Sequence, residues 1–240
     1  MSKNFLLVHG AWQGAWVWNK IQPKLTAEGH TVKAIDLPGS GDDQTSVAAV
    51  SLDVYARKII DAASLLSAQG KVTLVGHSMG GAAITLAASL APELFEKLIY
   101  VCAILPQNGE SVAILGEQSQ KLGTEGPVAQ PLLDKGVLAL VPEKIAPTFL
   151  NDYTESDVDT LLAQFKPQPI QPLMETVTLT EGFLNLPKAY IVCTKDLAIS
   201  PKLQQQMAEK ANVGTIYTLD AGHEPFFSQV EKLSEFLLKA

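Results

Sequence analysis

Arginine is almost missing from this 240-residue chain: of its 18 basic residues only Arg57 is one. A bidentate guanidinium clamp on a carboxylate or phosphate is therefore not expected to be central to binding. Cysteine is nearly as scarce. Cys102 and Cys193 cannot build a disulfide framework, and both fall in apolar stretches that read as strands. Small buried hydrophobes with free thiols, in a reducing cytoplasm, are the expectation. No apolar run is long enough to span a bilayer, and the first strand is expected almost at once, at Asn4 or Phe5, so neither a membrane span nor a secretory leader is expected. A net charge of −7 and a pI near 5.1 argue against nucleic acid and anionic membrane as partners.

Nucleotide and metal signatures are missing too. The first strand is followed by Gly10 and Gly14, but Trp12 stands where a dinucleotide fingerprint needs its middle glycine. Gly39-Ser40-Gly41 runs into Asp42-Asp43, acidic where a phosphate would sit. No P-loop and no His/Cys spacing typical of a metal site occurs, so neither cofactor nor metal is expected.

What remains is 47% hydrophobic and 18% charged, the composition of a well-buried globular enzyme. Strand-like runs at Phe5–His9, Thr31–Leu37, Val72–Val75, Lys97–Leu105, Lys188–Thr194 and Gly214–Leu219 are separated by helical stretches at about Trp18–Ala27, Ser51–Ala68, Ala82–Leu90, Pro201–Ala211 and Phe226–Leu238. Alternation of this kind predicts an α/β fold with a doubly wound, mainly parallel six-stranded sheet. The alternation fails from Pro106 to Pro187, where nine of the fourteen prolines lie. Only short helices are expected there, at about Leu132–Leu140 and Glu155–Gln164. Residues 1–105 and 187–240 thus read as the core, and 106–186 as a small inserted cap over one sheet edge. Phe149, Tyr153, Leu161, Leu162 and Phe165 make that insert too apolar for a disordered linker.

The chemistry centres on Gly76-His77-Ser78-Met79-Gly80-Gly81, a G-x-S-x-G elbow with a strand before it and an Ala-rich helix after it. A serine in so tight a turn projects its Oγ from the sheet end, and residues without Cβ let neighbouring chain pass close. A serine hydroxyl needs a base. His30 reads as a solvent-exposed turn residue, whereas His9 and His77 end strands beside glycines and read as structural or pocket-lining. His223 lies on the loop after the last strand, where an imidazole reaches the elbow. The orienting carboxylate is expected to be Asp196, just past the fifth strand, giving the order Ser…Asp…His. Asp220, three residues from His223, reads as a strand-terminating turn residue, and Asp36 lies on the far side of the nucleophile. The backbone N–H groups of Ala11 and Met79 are the candidate oxyanion donors. Trp12, Trp16 and His77 are the candidate substrate-pocket residues, and Trp18 reads as helix packing.

His9-Gly10, the elbow, Asp196 and Gly222-His223 in this order resemble an α/β-hydrolase across nearly the whole chain. Leu7-Val8-His9-Gly10-Ala11-Trp12-Gln13-Gly14-Ala15-Trp16, Gly29-His30-Thr31-Val32 and Ala34-Ile35-Asp36-Leu37 resemble, more narrowly, the plant methylesterase and hydroxynitrile-lyase group and its small bacterial esterase relatives. That resemblance implies a serine carboxylesterase; small uncharged esters are the expected substrates, and a monomer or homodimer is expected. It also separates two chemistries. Lyases of the group carry a threonine where this chain has Gly10 and a lysine where it has Glu224. A lyase needs a cation for departing cyanide, which Glu224 is expected to repel. Lyase-like activity, or a receptor-like hydrolase with little turnover, is the rival reading.

Overall fold

The computed structural model describes residues 2–68, 70–154 and 156–240. Six strands, β1 (Asn4–Val8), β2 (Thr31–Ile35), β3 (Val72–His77), β4 (Phe95–Val101), β8 (Lys188–Cys193) and β9 (Thr215–Leu219), form one sheet in the order β2-β1-β3-β4-β8-β9. Every pairing in it is parallel. Between β4 and β8 the short strands β5 (Ala129–Leu132), β6 (Val137–Leu140) and β7 (Gln168–Pro169) make a separate antiparallel sheet.

Central strands of a parallel sheet are covered on both faces, so their residues are mostly apolar and alternate in which layer they join. Leu6, Val8, Leu74, Leu98, Tyr100, Tyr190 and Val192 point to one layer. There they meet the helices α2 (Leu52–Ser67), α3 (Gly80–Leu90) and α9 (Pro201–Lys210). Phe5, Leu7, Val75, Ile99, Val101, Ala189 and Ile191 point to the other. Here α1 (Gln22–Ala27), α10 (Pro225–Ser228) and α11 (Val230–Lys239) cover them, with Trp18, Phe226 and Leu237 fully buried. This is the expected doubly wound sheet.

Local boundaries differ from the sequence expectation in ways the backbone explains. The first helical stretch is split into a 3-10 turn, Ala15–Trp18, and α1, which has Pro23 in its first turn. Strand β4 stops at Val101, not at Leu105, because Cys102 takes a positive φ of 35° and turns the chain beneath the elbow. Cys102 therefore lies just outside a strand, while Cys193 ends β8; both are buried free thiols. The last helix breaks at Gln229 into α10 and α11.

The stretch between β4 and β8 also holds α4 (Val112–Lys121), α5 (Pro142–Phe149), α6 (Val158–Leu162), α7 (Gln171–Met174) and α8 (Glu181–Asn185). The helix expected over Leu132–Leu140 is instead the β5–β6 hairpin. Gly136, with φ +66°, supplies the left-handed turn residue that a helix would not tolerate, and Lys135 N–H donates to Leu132 O. Of the helix expected over 155–164, Glu155 lies outside the described residues and Val158–Leu162 is helical. Trp12 staples this stretch to the loop after β1. Its N–H donates to Gln168 Oε1 (3.2 Å), its Nε1 donates to Leu138 O (3.0 Å), and its carbonyl accepts from Lys166 N (2.9 Å).

The first turn of α3 passes so close to its neighbours that a Cβ on Gly80 would collide with His9 O, and one on Gly81 with Ile104 O. Both obstacles are backbone and cannot rotate away. Gly81→Ala is expected to lower unfolding free energy by about 2 kcal/mol or more in urea denaturation, as overpacking does. Gly116, in the middle of α4 with nothing near its missing Cβ, is the contrast. Gly116→Ala is expected to raise stability by about 0.5–1 kcal/mol.

Candidate active site

Strand β3 delivers Ser78 at the C-terminal edge of the sheet in a left-handed conformation, φ +52°. A non-glycine residue there is strained by roughly 1–2 kcal/mol. Ser78 O repays that strain by accepting from Gly81 N (3.0 Å) and Ile104 N (2.9 Å), which fixes the turn from the helix side and the β4 side together.

Loops after β8 and β9 bring the partners. His223 Nε2 lies 3.0 Å from Ser78 Oγ, and His223 Nδ1 lies 2.8 Å from Asp196 Oδ2. Imidazole and carboxylate are both buried. Asp196 accepts three further bonds: Oδ1 from Ala198 N (2.8 Å) and Ile199 N (2.9 Å), Oδ2 from Gln204 Nε2 (2.8 Å). These donors lock the carboxylate plane against the imidazole, so Nδ1 carries the proton and Nε2 faces the serine as acceptor. Asp220 points outward into an ion pair with Lys195 (2.8 Å), and Asp36 holds the loop after β1 through Ala15 N (2.7 Å). Neither competes for His223.

The remaining histidines take other roles. His77 is wholly buried and donates from Nε2 to His223 O (2.9 Å), its ring 4.7 Å from that of His223. Cys102 Sγ donates to the same carbonyl (3.3 Å). His77 thus holds the histidine loop from behind and does not line the substrate pocket expected of it. Burial pushes its pKa well below the ordinary 6.5, with the neighbouring His223 adding to the effect. His9 accepts from Leu37 N at Nε2 (3.0 Å) and donates from Nδ1 to Gly10 O (2.7 Å); burial pushes it down as well. His30 is half-buried, not exposed, and accepts from Lys3 N (3.0 Å). His77, Cys102 and His223 offer potential metal-ligand atoms within 4.8 Å of one another, but two of them are committed to the His223 carbonyl.

Beside Ser78 opens a cavity of about 420 Å³, lined by Ala11, Trp12, Met79, Ile104, Leu138, Leu173 and Ile199 among others. Its ionisable lining among the described residues is the exposed Glu117 of α4; no basic side chain lines it. Ala11 and Met79, the candidate oxyanion donors, both line this cavity with Ser78. Trp12 lines this cavity. Trp16 does not: it stacks on Phe227 (6.0 Å between centroids) and meets Phe165 edge-on, facing a different surface groove. Trp18 is core, as expected.

Glu224 also departs from expectation. It is buried away from the cavity, its Oε1 accepts from Gln13 Nε2 (2.5 Å), and burial pushes its pKa well above the ordinary 4.5. Glu224 is not among the residues that line the cavity, so it does not face an anion bound there. The obstacle to a side chain at position 10 is steric: a Cβ on Gly10 would lie 2.7 Å from Ser78 Cβ.

Sequence reasoning missed the residues that steady the two loops. Asp152 Oδ2 accepts from Gly222 N (2.6 Å) and Ser228 Oγ (2.8 Å), and Asn151 Nδ2 donates to Lys195 O (3.0 Å). An Asn-Asp pair in a proline-rich stretch carries no motif. Gln204 could have been suspected, since it falls in the first turns of the helix opened by Pro201, directly after the Asp196 loop.

Residues 5–236 match the model of the alpha/beta hydrolase family. Methylesterase 7 of Arabidopsis thaliana is 30% identical over 248 residues, covering 99% of this chain and 95% of the relative. The crystal structure of a methylesterase protein, MES16, from Arabidopsis superposes with a TM-score of 0.83 at 28% identity, covering 99% of this chain and 98% of that one. Polyneuridine aldehyde esterase shares the fold, with a TM-score of 0.88 at 23% identity over 100% of this chain and 99% of that one.

The suppressed charge of His77 makes a pH prediction. In the unfolded chain the imidazole takes a proton below about pH 6.5; in the folded protein burial opposes that protonation. Stability is fully present above 6.5 and falls as pH drops below it. In His77→Gln, whose amide nitrogen can still reach the His223 carbonyl, the loss of unfolding free energy between pH 7 and pH 5 is expected to be smaller, by up to about 2 kcal/mol. Parallel denaturation curves for the two proteins at those pH values are the check.

Proposed function

We propose that this chain, which belongs to the alpha/beta hydrolase family and is a carboxylic ester hydrolase, cleaves small uncharged esters through an acyl-enzyme on Ser78. The carrying observation is the unbroken hydrogen-bonded line from Ser78 Oγ through His223 to Asp196 at the mouth of an apolar cavity. His223 Nε2 takes the Ser78 proton as Oγ attacks the ester carbonyl. The carbonyl oxygen becomes an oxyanion facing the N–H groups of Ala11 and Met79. The latter stands at the N-cap of α3, whose aligned peptide dipoles add to the stabilisation. Buried Asp196 orients the imidazole and stabilises the imidazolium. His223 then protonates the departing alkoxide. Water, deprotonated by the same nitrogen, attacks the acyl carbonyl, and collapse of the second tetrahedral intermediate frees the acid and restores Ser78.

The cavity supports the substrate class. Apolar walls favour an uncharged ester, and the lack of a basic lining residue gives an anionic substrate nothing to pair with. Similarity to methylesterases supports a small alcohol such as methanol as the leaving group.

Hydrolysis of p-nitrophenyl acetate and of a series of neutral methyl esters tests the reading. Ser78→Ala and His223→Ala are each expected to reduce kcat by about 10³-fold or more, and Asp196→Asn by a comparable factor, with folding intact by circular dichroism. Turnover that persists in Ser78→Ala would overturn it.

A further inference from the structure

Two buried side chains outside the triad join the histidine loop to the loop after β1. Glu224 follows His223 directly and is fully buried; its Oε1 accepts from Gln13 Nε2 at 2.5 Å. Gln13, equally buried, uses its other amide atom: Oε1 accepts from Gly10 N at 3.3 Å. Gly10 immediately precedes Ala11, and the peptide joining them carries the proposed oxyanion N–H of Ala11. Gly10 itself is tightly enclosed, since a Cβ on it would lie 2.7 Å from Ser78 Cβ and 3.1 Å from Gln13 Oε1.

An amide has two unlike ends. Gln13 can turn its oxygen toward Gly10 N–H only if its nitrogen meets an acceptor on the far side, and Glu224 is that acceptor. A carboxyl buried with so few partners costs more than an apolar side chain of the same size would. Its second oxygen has no hydrogen-bond partner among the described residues, so the bond to Gln13 is the one described bond its side chain makes. Burial pushes its pKa well above the ordinary 4.5.

We infer that Gln13 and Glu224 are positioning residues that aim the Ala11 N–H at the developing oxyanion, coupling the histidine loop to the oxyanion loop. The inference rests on the acyl-enzyme reading above. An N–H aimed in this way acts on the transition state more than on the bound ester, so its loss should appear in kcat and not in KM.

The test compares wild type, Gln13→Leu, Glu224→Leu, Glu224→Gln, the double Leu variant and Ser78→Ala. Steady-state hydrolysis of p-nitrophenyl acetate is measured beside inhibition by an alkyl trifluoromethyl ketone, whose serine adduct carries an oxyanion. Each Leu variant is expected to lower kcat by about tenfold or more with KM changed less than about twofold, and to weaken the ketone by a similar factor. The double variant is expected to be no worse than either single one, and Glu224→Gln, which retains a carbonyl acceptor for Gln13, to stay within about threefold of wild type. Should Gln13→Leu not fold, the Glu224→Leu and Glu224→Gln pair makes the same comparison. Unchanged kcat in the Leu variants, losses that multiply in the double variant, or a Glu224→Gln loss equal to that of Glu224→Leu would overturn the inference. Turnover surviving in Ser78→Ala would instead overturn the acyl-enzyme reading itself.

Discussion

The close approach of three chain segments around Ser78 governs the rest of this structure. Its backbone sits at φ +52°, a conformation that persists only when the surroundings over-determine it. Those surroundings are the loop after β1 at Gly10, the first turn of α3 at Gly80 and Gly81, and the chain after β4 at Ile104. A Cβ on Gly10 would meet Ser78 Cβ, one on Gly80 would meet His9 O, and one on Gly81 would meet Ile104 O. The early end of β4, the left-handed Cys102 and the small residues of α3 all follow from packing that much backbone about one serine. The same crowding leaves no space for a side chain at position 10, which narrows the chemistry the site supports.

Around this turn the parallel sheet does the gathering. All its strands end their C-termini on one edge, so the loops after β1, β3, β8 and β9 meet there although they are distant in sequence. The loops are then tied by side chains whose bonds are mostly buried: Gln204 to Asp196, His77 and Cys102 to the His223 carbonyl, Asp152 to Gly222. Polar groups at this depth have no solvent to fall back on, so each bond left unmade is costly and the arrangement is held in one geometry.

The sheet was legible because buried parallel strands are continuous apolar runs, and Phe5–His9 or Lys188–Thr194 could be little else. Ser78, Asp196 and His223 were legible as a set because each follows a strand and their order fits one architecture. The stretch from Pro106 to Pro187 was not. Leu132, Leu133, Val137, Leu138 and Leu140 fit a helical face about as well as a hairpin, and only the left-handed Gly136 decides between them. Asn151 and Asp152 act through backbone atoms of distant loops, a relation that leaves no local pattern. Glu224 shows a different limit: its identity was plain, but its burial, and with it the rise of its pKa, depends on neighbours the sequence does not place.

The proposed acyl-enzyme requires Ser78 Oγ to form a covalent bond, and labelling reads that directly. The protein would be reacted with an alkyl fluorophosphonate, weighed intact by mass spectrometry, then digested to locate the adduct. One adduct per chain is expected, on Ser78, with loss of ester hydrolysis in proportion to labelling. Labelling at another residue, or full hydrolytic activity in protein whose Ser78 is modified, would contradict it.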